Sequence, residues 1–170
     1  MTNAQKLVEA LKKKGLIITF VESCTGGALA NALTNVVGAS AVMKGSFVTY
    51  SNEAKIDLGV PREVIDTYSV YSGNCAVAMA IAGKPKCSGA YISVGVTGNL
   101  NRIDPDNEKD SCPGTVFVGI VQKTETGWMR SNFTIKVDER ASRKRAKGII
   151  TNAIFQHLLA DLEEIPDMEN

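Results

Sequence analysis

Hydrophobic residues follow two different patterns along this chain, and segments of the two patterns alternate. Apolar residues recur at helical spacing between Thr2, which can cap a helix, and Gly15, which can end one. Continuous apolar runs stand between the helical segments, and such runs are typical of strands buried on both faces of a sheet. The pattern predicts helices at 2–15, 25–38, 51–58, 73–82 and 139–162, a short helix after residue 61, and strands at 16–21, 41–50, 89–98, 114–123 and 127–137.

The last two predicted strands differ from the others. They flank the segment Thr-Glu-Thr-Gly, which indicates a hairpin turn, and the second of them alternates apolar and polar residues. Helices that alternate with buried strands favour a parallel sheet covered by helices. We therefore predict an α/β fold, a three-layer α/β/α sandwich whose mostly parallel sheet carries an antiparallel addition. Ligands of such sheets bind at the carboxyl ends of the strands, which places the loops 22–27, 50–55 and 97–113 at the expected site.

Composition narrows the class of protein. The 170 residues suit a single domain, residues 1–170, and 44% of them are hydrophobic. No apolar run approaches the length of a membrane span and the polar segment 1–15 does not resemble a signal peptide, so we expect a cytoplasmic protein without a membrane partner. The net charge of +1 argues against a nucleic-acid-binding protein, although five cations are concentrated in residues 140–147.

The chain has four cysteines and one histidine. None of the cysteines forms a C-x-x-C pair and no Cys/His group has the spacing of a zinc site, so we expect reduced thiols and no metal. His157 is the single candidate for histidine-dependent chemistry. Its place in a helical apolar pattern favours a partly buried structural histidine over a catalytic one.

The turn Glu-Ser-Cys-Thr-Gly-Gly, residues 22–27, joins a predicted strand to a predicted helix. Its two glycines would let a ligand approach the backbone, and free N–H groups at the start of a helix favour an anion. The alternative is that Ser23 or Thr25 only caps the helix, with the glycines serving close packing. The spacing alone leaves both interpretations open.

The segment Thr-Tyr-Ser-Asn-Glu-Ala-Lys, residues 49–55, ends with a lysine in the first turn of a predicted helix, where it opposes the helix dipole. One interpretation is a solvated surface lysine. The other is a general base: a nucleophilic Ser23 needs a base, and Lys55 could replace histidine if burial or a neighbouring cation lowers its pKa.

Five segments, "ESCTGG", "GSFVTYSNEAK", "VTG", "PGTVFVGI" and "DERASRKRA", stand in the order found in the CinA C-terminal domain family, which the chain resembles over nearly its whole length. The resemblance to its stand-alone members implies an amidase that converts nicotinamide mononucleotide to nicotinate mononucleotide and ammonia with a serine–lysine pair and no cofactor. The catalytic residues expected from it are Ser23, Lys55 and Tyr50. The expected substrate-binding residues are Cys24, Thr25, Gly26, Gly27, Asn52, Thr97, Gly98 and Arg140.

The mechanism expected from these residues is acyl transfer through a serine. Lys55 takes the proton of Ser23, and Tyr50 orients Lys55 or relays its proton. N–H groups near Cys24 to Gly27 hold the oxyanion of the tetrahedral intermediate. The residues expected to bind the phosphate and ribose of the substrate are Thr25, Thr97 and Arg140.

Two segments depart from the family pattern. After "VTG" the chain reads "NLNRIDPDN", where family members commonly have I-A-G-P, and the segment before the small-residue helix lacks their two glutamates. These departures leave alternatives open: a hydrolase that uses the Cys24 thiolate, a nucleotide-binding protein that no longer turns over, or, third, a nucleic-acid role for residues 140–147. A small-molecule nucleotide is the expected partner, and we expect a homo-oligomer.

Overall fold

Strands and helices follow the predicted alternation along the chain. The computed structural model describes residues 1–167. The strands are β1 (Ile17–Glu22), β2 (Phe47–Val48), β3 (Ala90–Asn99), β4 (Thr115–Thr124) and β5 (Gly127–Lys136). The helices are α1 (Asn3–Lys13), α2 (Ala28–Thr34), α3 (Asn52–Leu58), α4 (Arg62–Tyr68), α5 (Gly73–Gly83) and α6 (Arg143–Glu163). Among these helices, none is both long enough and apolar enough to cross a membrane.

The five strands form one mixed sheet in the order β2-β1-β3-β4-β5. Strand β1 pairs in parallel with β2 and β3, whereas β3–β4 and β4–β5 are antiparallel pairs. The predicted α/β architecture is confirmed, with β4 and β5 as the antiparallel addition. The strand predicted at 41–50 is wrong in length, because β2 keeps only two residues. The chain leaves the sheet just before β2, where the Ser46 hydroxyl donates to the Phe20 carbonyl in place of a backbone N–H.

The sheet lies between two layers of helices, each with its own hydrophobic core. Helices α1, α2 and α6 cover one face and bury the larger core, which includes Phe20 of β1 and Phe155 of α6. Helices α3, α4 and α5 cover the other face over a smaller core, which includes Val21 of β1 and Met79 of α5. Neighbouring residues of β1 thus face opposite cores, as expected for a strand buried on both faces.

Helix α5 lies unusually close to the sheet, because both surfaces carry small residues. A side chain at Gly95 of β3 would come within 2.0 Å of the Ala76 carbonyl oxygen, and one at Gly119 of β4 within 2.3 Å of the Val77 nitrogen. Only glycine permits this approach. The helix therefore fixes the position of the segment that precedes it, residues 70–72, at the edge of the sheet where β3 ends.

Two predicted helices are shorter than expected at their first turns. Helix α2 begins at Ala28 and not at residue 25, since Gly26 and Gly27 have φ of 60° and 93°, outside the right-handed helical region. Helix α6 begins at Arg143 and not at residue 139, because the Ser142 hydroxyl caps it by accepting the N–H of Arg145. Arg140 therefore lies in a turn before the helix.

Candidate active site

Three parallel strands end side by side, and their ends bring the predicted loops together. Strand β1 is central, with β2 on one side and β3 on the other. The N–H of Ser23, just after β1, donates to the Val96 carbonyl of β3 (2.9 Å), and the N–H of Thr49, just after β2, donates to the Glu22 carbonyl (2.8 Å). The carboxyl ends of the strands thus form the floor of the site, as the sheet topology predicts.

Lys55 and Ser23 are in direct contact at this edge. The Nζ of Lys55 lies 3.1 Å from the Oγ of Ser23, 3.0 Å from the carbonyl oxygen of Thr49 and 3.4 Å from that of Ser51. Helix α3 positions the lysine one turn after its start, which is capped by the Ser51 hydroxyl. The lysine is on the inward face of this helix and is not a solvated surface residue.

Burial changes the charge preference of Lys55. Its side chain is 3% exposed, and the loss of hydration lowers its pKa, although neighbouring groups such as Cys75 and Cys24 act in the opposite direction. The ion pairs found among residues 1–167 do not include Lys55, so its three close contacts are all neutral oxygens. Burial without a carboxylate partner thus shifts this amine towards its neutral form, which is the form that can accept a proton.

Glu22, the carboxylate of the turn, has a structural role. Its side chain is fully buried and accepts the N–H groups of Gly27 (3.0 Å), Leu29 (3.1 Å) and Ala30 (2.9 Å). These are donors of the first turn of α2, which otherwise would lack acceptors. The carboxylate therefore occupies the position at which the sequence led us to expect a bound anion.

Two of the N–H groups near the predicted oxyanion site already have acceptors within the protein. The N–H of Gly27 donates to Glu22, and the N–H of Gly26 donates to the Ser23 carbonyl (3.0 Å). Of the four residues from Cys24 to Gly27, only Cys24 and Thr25 have backbone N–H groups with no backbone or side-chain oxygen acceptor within residues 1–167. The candidate oxyanion donors in this turn are therefore the N–H groups of Cys24 and Thr25.

A cavity of about 600 Å³ opens over the serine–lysine pair, within the range typical of ligand sites. Seven of the predicted site residues line it: Ser23, Cys24, Tyr50, Asn52, Lys55, Thr97 and Gly98. Thr97 is buried and its hydroxyl donates to the Val70 carbonyl (2.8 Å).

Four predicted site residues do not line this cavity: Thr25, Gly26, Gly27 and Arg140. Thr25 is buried and its hydroxyl has no hydrogen-bond partner among residues 1–167, and Arg140 is exposed in the turn before α6. Tyr50 lines the cavity but is 62% exposed, and its hydroxyl accepts a hydrogen bond from Arg143 (3.0 Å). The predicted contact between Tyr50 and Lys55 is therefore replaced by one to Arg143.

The cavity is also lined by residues that were not among the predicted site residues, including Tyr71, Asn99, Asp104 and Arg143. Asp104 accepts the Tyr71 hydroxyl (2.5 Å), and both Asn99 (2.5 Å) and the N–H of Asp104 (2.9 Å) donate to Ser111. These bonds fold the 99–111 loop over one side of the cavity. The length and polarity of that loop, already noted in the sequence, were the signal that could have identified it.

The two alternative reactive residues are Cys24 and His157, and the surroundings of each differ from those of Lys55. Burial raises the pKa of the Cys24 thiol to about 12, although the nearby Lys55 acts to lower it. His157 lies on α6, where its ring stacks on Phe133 with centroids 4.0 Å apart and its Nε2 is 3.6 Å from Asp161. It does not line the cavity, in agreement with the predicted structural role.

The family model and the curated relatives that match this chain all point to the same family. The model of the CinA C-terminal domain matches residues 1–159. A CinA-like protein of Dictyoglomus thermophilum is 40% identical over 123 residues, which cover 72% of this chain and 29% of that protein. A CinA-like protein of Fervidobacterium nodosum is 35% identical over 140 residues, which cover 81% and 33%. The chain thus spans between 29% and 38% of the length of these and other curated relatives that it matches.

Solved structures share the fold. The crystal structure of the competence/damage inducible protein CihA from Agrobacterium tumefaciens is 27% identical, covers 96% of this chain and 98% of that one, and superposes with a TM-score of 0.78. A competence-damaged protein (CinA) superfamily protein from Escherichia coli, at 24% identity, covers 92% of this chain and 87% of its own with a TM-score of 0.80, and it shows the fold alone. On the family match over residues 1–159, this chain belongs to the CinA C-terminal domain family.

Proposed function

We propose that this protein is an amidase that converts nicotinamide mononucleotide to nicotinate mononucleotide and ammonia, with Ser23 as nucleophile and Lys55 as general base. The observation that carries the proposal is the buried Lys55 amine 3.1 Å from the Ser23 hydroxyl, with no carboxylate partner in the described part of the chain. The family resemblance supplies the substrate. The proposed amidase domain comprises residues 1–170.

The geometry suits a neutral amine. A neutral lysine has two N–H donors and one lone pair. The two N–H groups can donate to the carbonyls of Thr49 and Ser51, at 3.0 and 3.4 Å, which directs the lone pair towards the Ser23 hydroxyl at 3.1 Å. The backbone thereby orients the base, a role that a carboxylate plays for histidine in a Ser-His-Asp triad.

In the first half of the reaction, Ser23 Oγ attacks the carboxamide carbon while Lys55 takes the hydroxyl proton. The tetrahedral oxyanion is stabilised by the N–H groups of Cys24 and Thr25, which have no oxygen acceptor within residues 1–167. Lys55 then passes its proton to the departing nitrogen. Ammonia leaves, and an ester between Ser23 and the acyl group remains.

In the second half, water replaces ammonia. Lys55, neutral again, takes a proton from a water molecule that attacks the ester carbon. Collapse of this second tetrahedral intermediate returns the proton to Ser23 Oγ and releases the carboxylate product. The net change is one water consumed and one ammonia released, and the enzyme returns to its starting state.

Cys24 is the competing nucleophile, and its environment argues against it. A cysteine attacks as a thiolate. Burial holds the pKa of Cys24 at about 12, so the thiolate is rare at neutral pH. Cys24 follows Ser23 in the chain, and its backbone N–H is one of the two proposed oxyanion donors.

The test is to incubate the purified protein with nicotinamide mononucleotide and to measure ammonia, with Ser23→Ala and Cys24→Ala as a matched pair. The proposal expects ammonia from the wild type, none above background from Ser23→Ala, and retained turnover in Cys24→Ala. Near-normal turnover in Ser23→Ala would contradict it. A wild type that the nucleotide stabilises against heat without ammonia release would favour the nucleotide-binding protein instead, a function compatible with the divergent 99–111 loop.

A further inference from the structure

A second cavity, of about 580 Å³, lies between α1, α2 and α6, and neither Ser23 nor Lys55 lines it. The first residues of α1 and one face of α2 form part of its wall. One face of α6 forms the rest, with lining residues that recur at helical spacing: Arg143, Lys144, Lys147, Gly148, Thr151, Asn152 and Phe155. This cavity has no part in the proposed amidase reaction.

The lining of the second cavity is cationic. It includes Arg143, Lys144 and Lys147 but no aspartate or glutamate, and none of the three cations takes part in an ion pair found among residues 1–167. Lys147 is partly buried, and its Nζ lies 2.9 Å from the position that a Cβ would take at Gly26. A partly buried amine without a carboxylate partner in the described residues favours an anion from outside the protein.

Two helices begin at this cavity, and both contribute backbone donors. Helix α1 begins at Asn3 and α6 at Arg143, and both residues line the cavity. The first two N–H groups of each helix have no acceptor within residues 1–167, as is usual for a first turn. The positive ends of two helix dipoles therefore add to the charge of the cationic side chains.

A buried hydroxyl is an independent sign of a ligand. Thr151 lines the cavity one helical turn after Lys147 and is only 7% exposed. Its Oγ1 has no hydrogen-bond partner among residues 1–167. A buried hydroxyl without a partner is costly, and valine would fill nearly the same space without that cost. An oxygen of a bound anion would supply the missing acceptor.

The cavity also has room and apolar surface for a ligand larger than a simple ion. A Cβ at Gly148 would meet no atom within 4 Å, so the α6 wall opens onto free space at this residue. The apolar side chains of the lining are three alanines of α1 and α2 and one aromatic residue of α6: Ala4, Ala28, Ala32 and Phe155. These small side chains leave space beside them for an aliphatic chain.

We propose that the cavity between α1, α2 and α6 binds a small carboxylate that carries an aliphatic chain of medium length. The carboxylate accepts from the amine of Lys147 and the hydroxyl of Thr151, which lie one helical turn apart on the same face of α6. The chain lies along the alanines and the open space at Gly148. The proposal does not rest on the proposed amidase function, because none of the residues assigned to that reaction lines this cavity.

The experiment titrates the whole protein with octanoate and follows each backbone amide by two-dimensional NMR. 1-Octanol has the same chain without the charge, and acetate has the charge without the chain. We expect saturable shifts that centre on amides of the lining, such as those of Asn3, Ala28 and Gly148. The dissociation constant of octanoate should be at least tenfold lower than that of either other probe.

Two pairs of variants test the position of the ligand. Lys147→Gln should raise the dissociation constant of octanoate about tenfold or more, whereas Arg145→Gln, at an exposed cation of α6 outside the cavity, should not change it. Gly148→Leu should raise it as much by filling the open space, and leucine favours the helix more than glycine does. Ala160→Leu, at an exposed position of α6 away from the cavity, is its control.

Thr151→Val separates a ligand-binding hydroxyl from a structural one. It should raise the dissociation constant of octanoate several-fold without making the ligand-free protein less stable, since Oγ1 has no partner there among residues 1–167. A structural hydroxyl would give the reverse: a less stable protein with unchanged affinity. That reverse result would overturn the proposed contact between carboxylate and Thr151.

Three results would overturn the binding site as a whole. The first is acetate or 1-octanol binding as tightly as octanoate, or octanoate keeping its full affinity in both Lys147→Gln and Gly148→Leu. The second is displacement of octanoate by nicotinamide mononucleotide, which would place octanoate in the cavity over Ser23. The third is a shift of the same amides when the protein is concentrated without ligand, which would show that a second copy of the chain occupies the cavity.

Discussion

Two cavities of similar size lie on either side of Arg143, which lines both of them. The first, of about 600 Å³, opens over Ser23 and Lys55; the second, of about 580 Å³, lies between α1, α2 and α6. The second is lined mainly by small and polar side chains, with Phe155 as its aromatic residue and with the cations Arg143, Lys144 and Lys147. Volume does not distinguish the two cavities.

The two cavities differ in the burial of a lysine that lines each of them, Lys55 in the first and Lys147 in the second. Lys55 is 3% exposed and its amine meets only neutral oxygens, including that of Ser23. Lys147 is only partly buried, and its Nζ lies next to Gly26. Loss of hydration lowers the pKa of the buried Lys55. Burial beside a hydroxyl, and not the cavity itself, marks the candidate active site.

The largest expected effect is that of Lys55→Arg, for which Lys147→Arg is the matched control. Lys55→Arg should lower kcat/KM for nicotinamide mononucleotide by about 10²- to 10⁴-fold, as much as Lys55→Ala, because a guanidinium stays protonated and cannot act as a base. Lys147→Arg should leave it within about twofold, since that side chain takes no part in the proposed proton transfer. Ammonia release measures both. Activity retained in Lys55→Arg would remove the basis for the comparison.

The turn that leads into α2 depends on Glu22. Glu22→Gln should lower the free energy of unfolding by about 1–3 kcal/mol, because an amide offers one acceptor oxygen where three N–H groups of α2 now meet a carboxylate. Urea unfolding measures the loss, with the exposed Glu9→Gln on α1 as control. A variant as stable as the control would mean that α2 does not need this cap.

A threonine in each cavity gives a smaller, paired test. The Thr97 hydroxyl donates to the Val70 carbonyl, whereas the buried Thr151 hydroxyl has no partner among the described residues. Thr97→Val should therefore cost about 1 kcal/mol or more in the free energy of unfolding, and Thr151→Val should be neutral or stabilising. Equal losses in the two variants would show that Thr151 has an acceptor after all.

The smallest effect is expected outside both cavities. His157→Gln should change the free energy of unfolding by no more than about 1 kcal/mol, through the loss of stacking on Phe133, and should leave ammonia release unchanged. Loss of activity in this variant would restore histidine as a candidate base.

Much of this site follows from local sequence patterns. Apolar runs located the strands, and the parallel order of β2, β1 and β3 then brings Ser23 and Lys55 to one edge. The single histidine and its helical surroundings pointed to lysine as base. These inferences depend only on periodicity, on sheet geometry and on the residue types present.

Other features depend on side-chain directions that periodicity does not encode. Several residues around 139–143 could start the last helix, and the cap at Ser142 decides that Arg143, not Arg140, reaches the cavity. Likewise, a glutamate at the end of β1 could face solvent or a ligand, and only the packed position of α2 shows that Glu22 caps it.

The central claim, that Lys55 is a neutral base, is tested most directly by the dependence of kcat/KM on pH. The usual pKa of a lysine is 10.5, and burial lowers that of Lys55. Activity should therefore rise with pH as Lys55 loses its proton, with an inflection below 10.5, and this inflection should be absent from the residual activity of Lys55→Ala. A rate that does not change with pH, or an inflection near about 6.5 that His157→Gln removes, would contradict the account.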